Sequence, residues 1–320
     1  LAWSLSGLTI AFAPFPQAHA ADELGSIGDL LDVTAAAYGT VGYSVAVLRR
    51  GRLLYSRHAG LADRDSGARI TARSAYPIYS ISKLFLVVEL LKARERGLIE
   101  LEMPLGAIRS GLPETWRNIT LAQAIAHVSG LPAYSPDRVK PTADQALAAI
   151  RELPPRFVPG TRNDYSQTNF LFAKEALERA TGTALTALVD QQFRAAGMHH
   201  SGYSGRDGRH ARPVTTYQPA PLRDRPPVAF MPPSWPPYTQ GSTGISSTLA
   251  DMVAWSQALL RGALMPLAPL RASWAPFAMP GGEAAWHTHG WEYYRHDDVT
   301  IVGHGGGVRH VWRHFFRADD

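Results

Sequence analysis

Tyr79-Ser80-Ile81-Ser82-Lys83-Leu84-Phe85, running on apolar through Leu91, is the stretch whose reading decides the fold. Pro77 stands just before it and no further breaker comes until Gly97, so a helix is expected to start near Ser80. Residues three apart share a helix face, which sets Ser80 and Lys83 side by side, one turn apart. Ile81, Leu84, Phe85, Leu86, Val87, Val88, Leu90 and Leu91 surround them, and a helix apolar on most sides is a buried one. A desolvated ammonium loses basicity. A hydroxyl beside such a lysine is a nucleophile with a proton acceptor at hand. The spacing alone arises by chance about once in a chain of this size; the apolar surround is what gives it weight.

Outward from this stretch, composition sets bounds. The 320 residues suffice for one large domain or two smaller ones. An apolar share of 45% against 18% charged describes a globular chain rather than a disordered one. The net charge of +5 includes only four lysines (Lys83, Lys92, Lys140 and Lys174), and the arginines are interleaved with acids. That pattern is a solvated basic surface, not a nucleic-acid footprint. The absence of cysteine excludes disulfides, thiolate metal sites, a cysteine nucleophile and a lipid-modified cysteine anchor.

Leu1 to Ala13 is uncharged and mostly apolar, and Ala18-His19-Ala20 before Ala21 has the A-x-A cleavage pattern. The run is too short to span a bilayer. The expectation is a signal peptide over residues 1–20, incomplete at its start, and a periplasmic or secreted protein with no transmembrane anchor.

Taken in order, the remainder predicts a helix over Leu24 to Tyr38, then a hairpin of Val41 to Leu48 and Leu53 to Ala59 around the Gly51 turn. Short helices without strands are expected from Ile99 to Pro154. Thr120 with Gln123, and Thr142 with Gln145, have the capping-box pattern. Helices over Thr168 to Ala180 and Thr183 to Ala196 are each closed by glycine. Ser201 to Gln240 is rich in turn residues and proline and far longer than a normal connection, the mark of a functional or disordered loop, and its stretch from Pro213 to Pro237 is expected to rim the site. A helix over Thr248 to Leu260 precedes strands at Trp291 to Tyr294, Thr300 to Gly303 and Val308 to Phe316. Strand pairs at both ends with helices between them predict an α/β (α+β) fold. Its antiparallel sheet is built from both chain ends, flanked by helices, with an all-helical subdomain inserted over about 99–200 of a single domain, 21–320.

With these pieces in place the chain resembles the class C β-lactamase-like serine hydrolases of the serine β-lactamase and penicillin-binding protein superfamily. Three motifs carry the resemblance: Ser80-Ile81-Ser82-Lys83; Tyr165-Ser166-Gln167, where the family has Tyr-x-Asn; and His304-Gly305-Gly306, where it has Lys-Thr-Gly or His-x-Gly. Flanking text agrees: His127 to Pro132, Pro159-Gly160-Thr161, Gly197-Met198, and Gly244 to Thr248 with Asp251 and Trp255. The family's final strand and C-terminal helix have no counterpart, so a record that stops early is expected. The resemblance implies a Ser80 acyl-enzyme, Lys83 and Tyr165 as the proton-handling pair, an oxyanion hole of the Ser80 and Gly307 backbone N–H groups, and Gln167, His304, Gly305 and Gly306 against substrate. Which of Lys83 and Tyr165 takes the serine proton stays open. Gln167 carries the family's amide one methylene further out. His304 replaces a lysine that would hold an antibiotic carboxylate, tilting the expectation from β-lactam hydrolysis toward esterase or D-Ala peptidase work.

The substrate expected is a small molecule or peptide with a reactive carbonyl, peptidoglycan fragments among the candidates, with no nucleic-acid partner and no cofactor. Two rivals remain: a penicillin-binding or muropeptide-sensing module that acylates without turnover, and an inactive truncated product. His127 is expected to brace its helix end. His199, His200 and His210, or His287 and His289, lack carboxylates at ligand spacing, so no metal is expected. No G-x-S-x-G nucleophile elbow occurs.

Overall fold

A computed structural model describes residues 27–134, 140–204, 213–218, 227–230, 235–307 and 310–317. The expected signal peptide, Leu24, Val308, His210 and much of the proline-rich stretch lie outside these residues. The elements run α1 (Ile27–Ala37), β1 (Gly42–Arg49), β2 (Arg52–Gly60), β3 (Ala75–Pro77), a 3₁₀ turn (Tyr79–Ile81) and α2 (Ser82–Glu95). Four short helices follow, α3 (Leu105–Ile108), α4 (Glu114–Arg117), α5 (Leu121–Ile125) and α6 (Ala143–Ala148), and then two longer ones, α7 (Gln167–Thr181) and α8 (Leu185–Ala196). Next come β4 (Gly202–Tyr203), β5 (Thr216–Gln218), β6 (Val228–Phe230), β7 (Ile245–Thr248), α9 (Leu249–Leu260) and α10 (Leu267–Ala272). The last three strands are β8 (Glu292–His296), β9 (Val299–Gly306) and β10 (His310–Arg317).

Local signals placed most of these elements. Thr120 and Gln123 close a full capping box at α5. Thr142 and Thr248 accept from the backbone N–H three residues on, at α6 and α9. Gly182 and Gly197 end α7 and α8 in the left-handed conformation. The short strands β3, β4, β5, β6 and β7 and helix α10 carry too little periodicity to be read from sequence. The stretch read as one long loop therefore contributes β4, β5 and β6.

The strands of the two chain ends are not joined into one sheet. β1 pairs with β2, and β10-β9-β8 form a second antiparallel sheet. A third, β3-β7-β4, brackets the turn before α2. Between β1 and β10 lies a groove of about 2160 Å³, lined on one side by Tyr43 to Arg49 and on the other by His310 to Arg317. Among the described residues no strand bridges it.

The core gathers on α2. Leu84, Phe85, Leu86, Val87, Val88 and Leu90 are fully buried, each worth about 1.5–3 kcal/mol of transfer free energy. Phe85 packs on Trp255 with ring centroids 4.7 Å apart, and Trp255 on Trp312 at 5.4 Å. Glu89, buried on the same helix, is satisfied by Lys92 (2.9 Å) and by Gln192 Nε2 (2.8 Å), while Gln192 Oε1 accepts from Trp255 Nε1 (2.7 Å). A buried carboxylate is tolerated because its lone pairs are used. The result is a rigid rod whose N-terminal end faces the sheet.

Candidate active site

The rod presents Ser80 on the 3₁₀ turn and Lys83 on its first helical turn. Tyr79, immediately before the serine, has φ +47°, a left-handed conformation that costs a bulky residue free energy and persists only where packing imposes it. The packing is visible on both sides. Ile78 N donates to Ile245 O (2.9 Å), and Ile245 N donates to Ser82 Oγ (3.3 Å). On the other side β9 presses in so closely that a Cβ at Gly306 would sit 2.4 Å from Ile78 O. Only glycine fits there.

Lys83 is buried, and its Nζ reaches Ser80 Oγ at 3.2 Å, Gln167 Oε1 at 2.9 Å and Ser242 O at 3.0 Å. Tyr165 donates its O–H to Ser80 Oγ at 2.8 Å. Burial pushes Lys83 well below the ordinary lysine range, only partly offset by the charge of Glu292. Burial pushes the Tyr165 phenol upward, against the Ser80 hydrogen bond that lowers it. A neutral amine has two N–H groups and one lone pair. With the amine neutral, Gln167 Oε1 and Ser242 O would take its two donors and the lone pair would face Ser80 Oγ. With the lysine charged, its ammonium and the Tyr165 O–H both donate to Ser80 Oγ; in the neutral-lysine form the proton chain would run from Tyr165 O–H to Ser80 Oγ and from Ser80 O–H to Lys83 Nζ. In that form the lysine is placed to accept a proton and the tyrosine to donate one.

Tyr165 is held by the segment before α7. Ser166 N donates to His127 Nδ1 (3.1 Å), which Asn169 Nδ2 also approaches (2.9 Å), and the His127 ring lies 4.4 Å from the Tyr165 ring. Asn163 Nδ2 anchors the loop on Ala126 O at 2.8 Å. His127 thus braces Tyr165 rather than merely its own helix end, in a left-handed backbone of φ +56°.

A cavity of about 150 Å³ opens beside Ser80, lined by Tyr79, Gln167 and Gly307, with Tyr134 and Trp235 among its walls and Thr239, Ser242 and Thr243 opposite. None of these residues is charged. Gly307 has φ +58° and lines the same cavity as Ser80. Of the proline-rich stretch, Trp235 and Thr239 reach this cavity, whereas Val214 to Tyr217 and Pro227 line the groove by β1 instead.

His304 does not line the cavity. Its ring is buried, 6.0 Å from that of Tyr165. Burial above all, with Lys83 adding when it is protonated, holds it near a pKa of about 3, so it is neutral and brings no cation for a carboxylate. Its Nδ1 lies 2.6 Å from Gly305 O and 3.4 Å from Glu292 Oε1. Glu292 Oε1 accepts from Gly305 N (3.0 Å), and its Oε2 pairs with Arg313 (2.5 Å). Gly305 thus has its N–H on a carboxylate, which fixes the strand end. His287, pushed to about 3 by burial, has its Nδ1 3.1 Å from Asn163 Oδ1. Glu292, Arg313, Asn163 and Ser242 escaped the sequence reading. Each lies on a different element from its partner and no spacing links them.

Residues 27–319 match the family model described as Beta-lactamase. D-aminopeptidase of Brucella canis is 27% identical over 293 residues, covering 86% of this chain and 53% of that protein, so the chain spans about half the length of the curated relatives it matches. The octameric penicillin-binding protein homologue from Pyrococcus abyssi superposes with a TM-score of 0.75 at 18% identity, covering 93% of this chain and 71% of the other. D-amino acid amidase from Ochrobactrum anthropi SV3 gives 0.71 at 21% identity, covering 86% and 82%. These two solved structures show the fold.

Proposed function

We propose, from the premise that this chain belongs to the Beta-lactamase family, that it is a serine hydrolase cleaving small amides or peptides of D-amino acids through a Ser80 acyl-enzyme. The observation that carries the reading is the continuous contact Tyr165 O–H, Ser80 Oγ, Lys83 Nζ at 2.8 and 3.2 Å. In the acylation step Lys83 takes the serine proton as Oγ adds to the substrate carbonyl. Backbone N–H groups at Ser80 and Gly307 receive the oxyanion, and the Lys83–Tyr165 pair returns a proton to the departing amine. Gln167 holds Lys83 through its amide oxygen, the role the family gives to asparagine. Water entering after the amine leaves releases the acid by the same steps in reverse.

Two features support the substrate class. The cavity is small and uncharged, and the neutral His304 supplies no anchor for a carboxylate, which disfavours penicillins and peptides with a free C-terminus there. Relatives of this chain are named D-aminopeptidase, and a protein of the same fold D-amino acid amidase. Export is part of the proposal and rests on the A-x-A pattern ending at Ala20; a mature amino terminus at Ala21 in the secreted protein would check it.

The test is a parallel panel of D-alanine p-nitroanilide, its L isomer, a D-Ala-D-Ala peptide, a short-chain p-nitrophenyl ester and nitrocefin, each with a Ser80→Ala control. Expected is turnover of the D-anilide above the others, lost by at least about 10³-fold in Ser80→Ala. Preference for the D-Ala-D-Ala peptide or nitrocefin would overturn the substrate class. Unchanged hydrolysis in Ser80→Ala would overturn the nucleophile.

A further inference from the structure

A second cluster of chemistry-bearing side chains lies beside the Ser80 chain and has no part in it. His287, from the segment before β8, Glu292, from the start of β8, and His304, from β9, each place one potential ligand atom within 4.8 Å of the others. His287 and His304 are buried, and Glu292 is nearly so.

What distinguishes this cluster from a chance meeting is its outer ring of partners. His287 Nδ1 lies 3.1 Å from Asn163 Oδ1 and His304 Nδ1 lies 2.6 Å from Gly305 O. An oxygen at hydrogen-bond distance places the ring proton on Nδ1, leaving the lone pair on Nε2. His304 Nε2 is buried and, among the described residues, has no hydrogen-bond partner. Glu292 is oriented in the same manner, its Oε2 against Arg313 and its Oε1 against Gly305 N. Imidazoles that donate the other ring N–H to an oxygen, and a carboxylate that is itself hydrogen-bonded, are the arrangement that orients metal ligands. A buried nitrogen with no partner calls for a ligand of its own.

We propose that His287, Glu292 and His304 form a binding site for one divalent transition-metal cation of the Zn²⁺ type, adjoining the Tyr165–Ser80–Lys83 chain. Two imidazole nitrogens and one carboxylate oxygen suit zinc, nickel or copper better than calcium or magnesium, which prefer all-oxygen shells. A tetrahedral site at about 2.0–2.1 Å needs ligand atoms roughly 3.4 Å apart, closer than the 4.8 Å within which these atoms now lie, so the side chains must move inward to close the group. Arg313 on the far oxygen of Glu292 opposes a cation, as does Lys83 when protonated. The site therefore binds more weakly than a closed four-ligand structural site. Sequence could not show it: His287 and His289 stand close in the chain, but His289 is not in the cluster. The third ligand comes from a strand 17 residues beyond His287.

The test titrates the EDTA-treated full chain with Zn²⁺ by calorimetry at neutral pH, and with Co²⁺ by visible absorption. His287→Ala and Glu292→Gln serve as variants, with circular dichroism as a check on folding. Expected is one saturable Zn²⁺ equivalent in the parent, weakened by about 10–100-fold or more in each variant, and an intense Co²⁺ visible band of a four- or five-coordinate centre. The chain has no cysteine to compete for the metal. No saturation by about 100 μM Zn²⁺, or equal binding in parent and variants, overturns the site. Should a variant fail to fold, the parent Co²⁺ spectrum decides, and the weak absorption of an octahedral aquo-type ion overturns it.

Discussion

Around Ser80 and along the β1–β10 flank the same chain is packed to opposite extremes. Around Ser80, both Lys83 and Phe85 are fully buried, Tyr79 is forced to a positive φ, and β9 approaches so closely that a methyl group at position 306 has no room. Along the flank, Val311 and Phe315 of β10 are 72% and 62% exposed, and Leu53 and Leu54 of β2 and Ile27, Leu30 and Val33 of α1 are exposed as well. The apolar side chains Ile27, Leu30 and Val33 of α1 therefore gain little burial. Among the ties of this helix are an exposed Arg57–Asp32 pair and a Tyr43 hydrogen bond to the same Asp32, contacts of little net worth. Chemistry is concentrated where packing over-determines geometry. A lysine can be kept deprotonated, and a hydroxyl aimed at it, only where neither water nor alternative rotamers compete.

The hardest attempt to break this contrast falls on Lys83. Lys83→Met is expected to lower kcat/KM by about 10²–10⁴-fold; retention of activity would mean that the sealed geometry is not what produces the chemistry. The pH profile probes the same point in the intact enzyme. Burial lowers Lys83 and raises Tyr165, so the active form, lysine neutral and tyrosine protonated, gains population as pH rises through the depressed lysine value. It is lost only when the raised tyrosine ionises. Activity on an ester should thus climb at lower pH and hold a broad plateau through the alkaline range. A limb rising with the ordinary lysine pKa near ~10 would contradict the desolvated lysine. His287 and His304, both near 3, add no limb between about 5 and 8.

Next in size comes Gly306→Ala. Its Cβ would meet a backbone oxygen, which cannot rotate away, so a loss of about 1–3 kcal/mol in stability is expected together with a fall in kcat, read by denaturant melts and steady-state rates. The smallest effect is expected on the flank. Val311→Ser should stay within about 0.5 kcal/mol of the parent; a larger loss would show that β10 is covered in solution and would erase the contrast.

Sequence alone determined the Ser80–Lys83 helix and its neighbours in outline. Ser80 and Lys83 are three residues apart on an apolar helix, so their adjacency is a property of helix geometry. The capping pair Thr120–Gln123 and the terminal Gly182 and Gly197 are likewise local. Tyr165, Gln167 and Gly307 were reached through motif order, and the fold brings them to Ser80 and Lys83 or to their cavity. Only tertiary structure decided the rest. It set His304 beside Tyr165 and away from the cavity, put Glu292 and Arg313 across the strand end, and left β1 and β10 on two sides of a groove. The physical reason is range. Helix periodicity and caps act over three or four residues, whereas desolvation, carboxylate pairing and strand adjacency depend on which distant segments the core presses together.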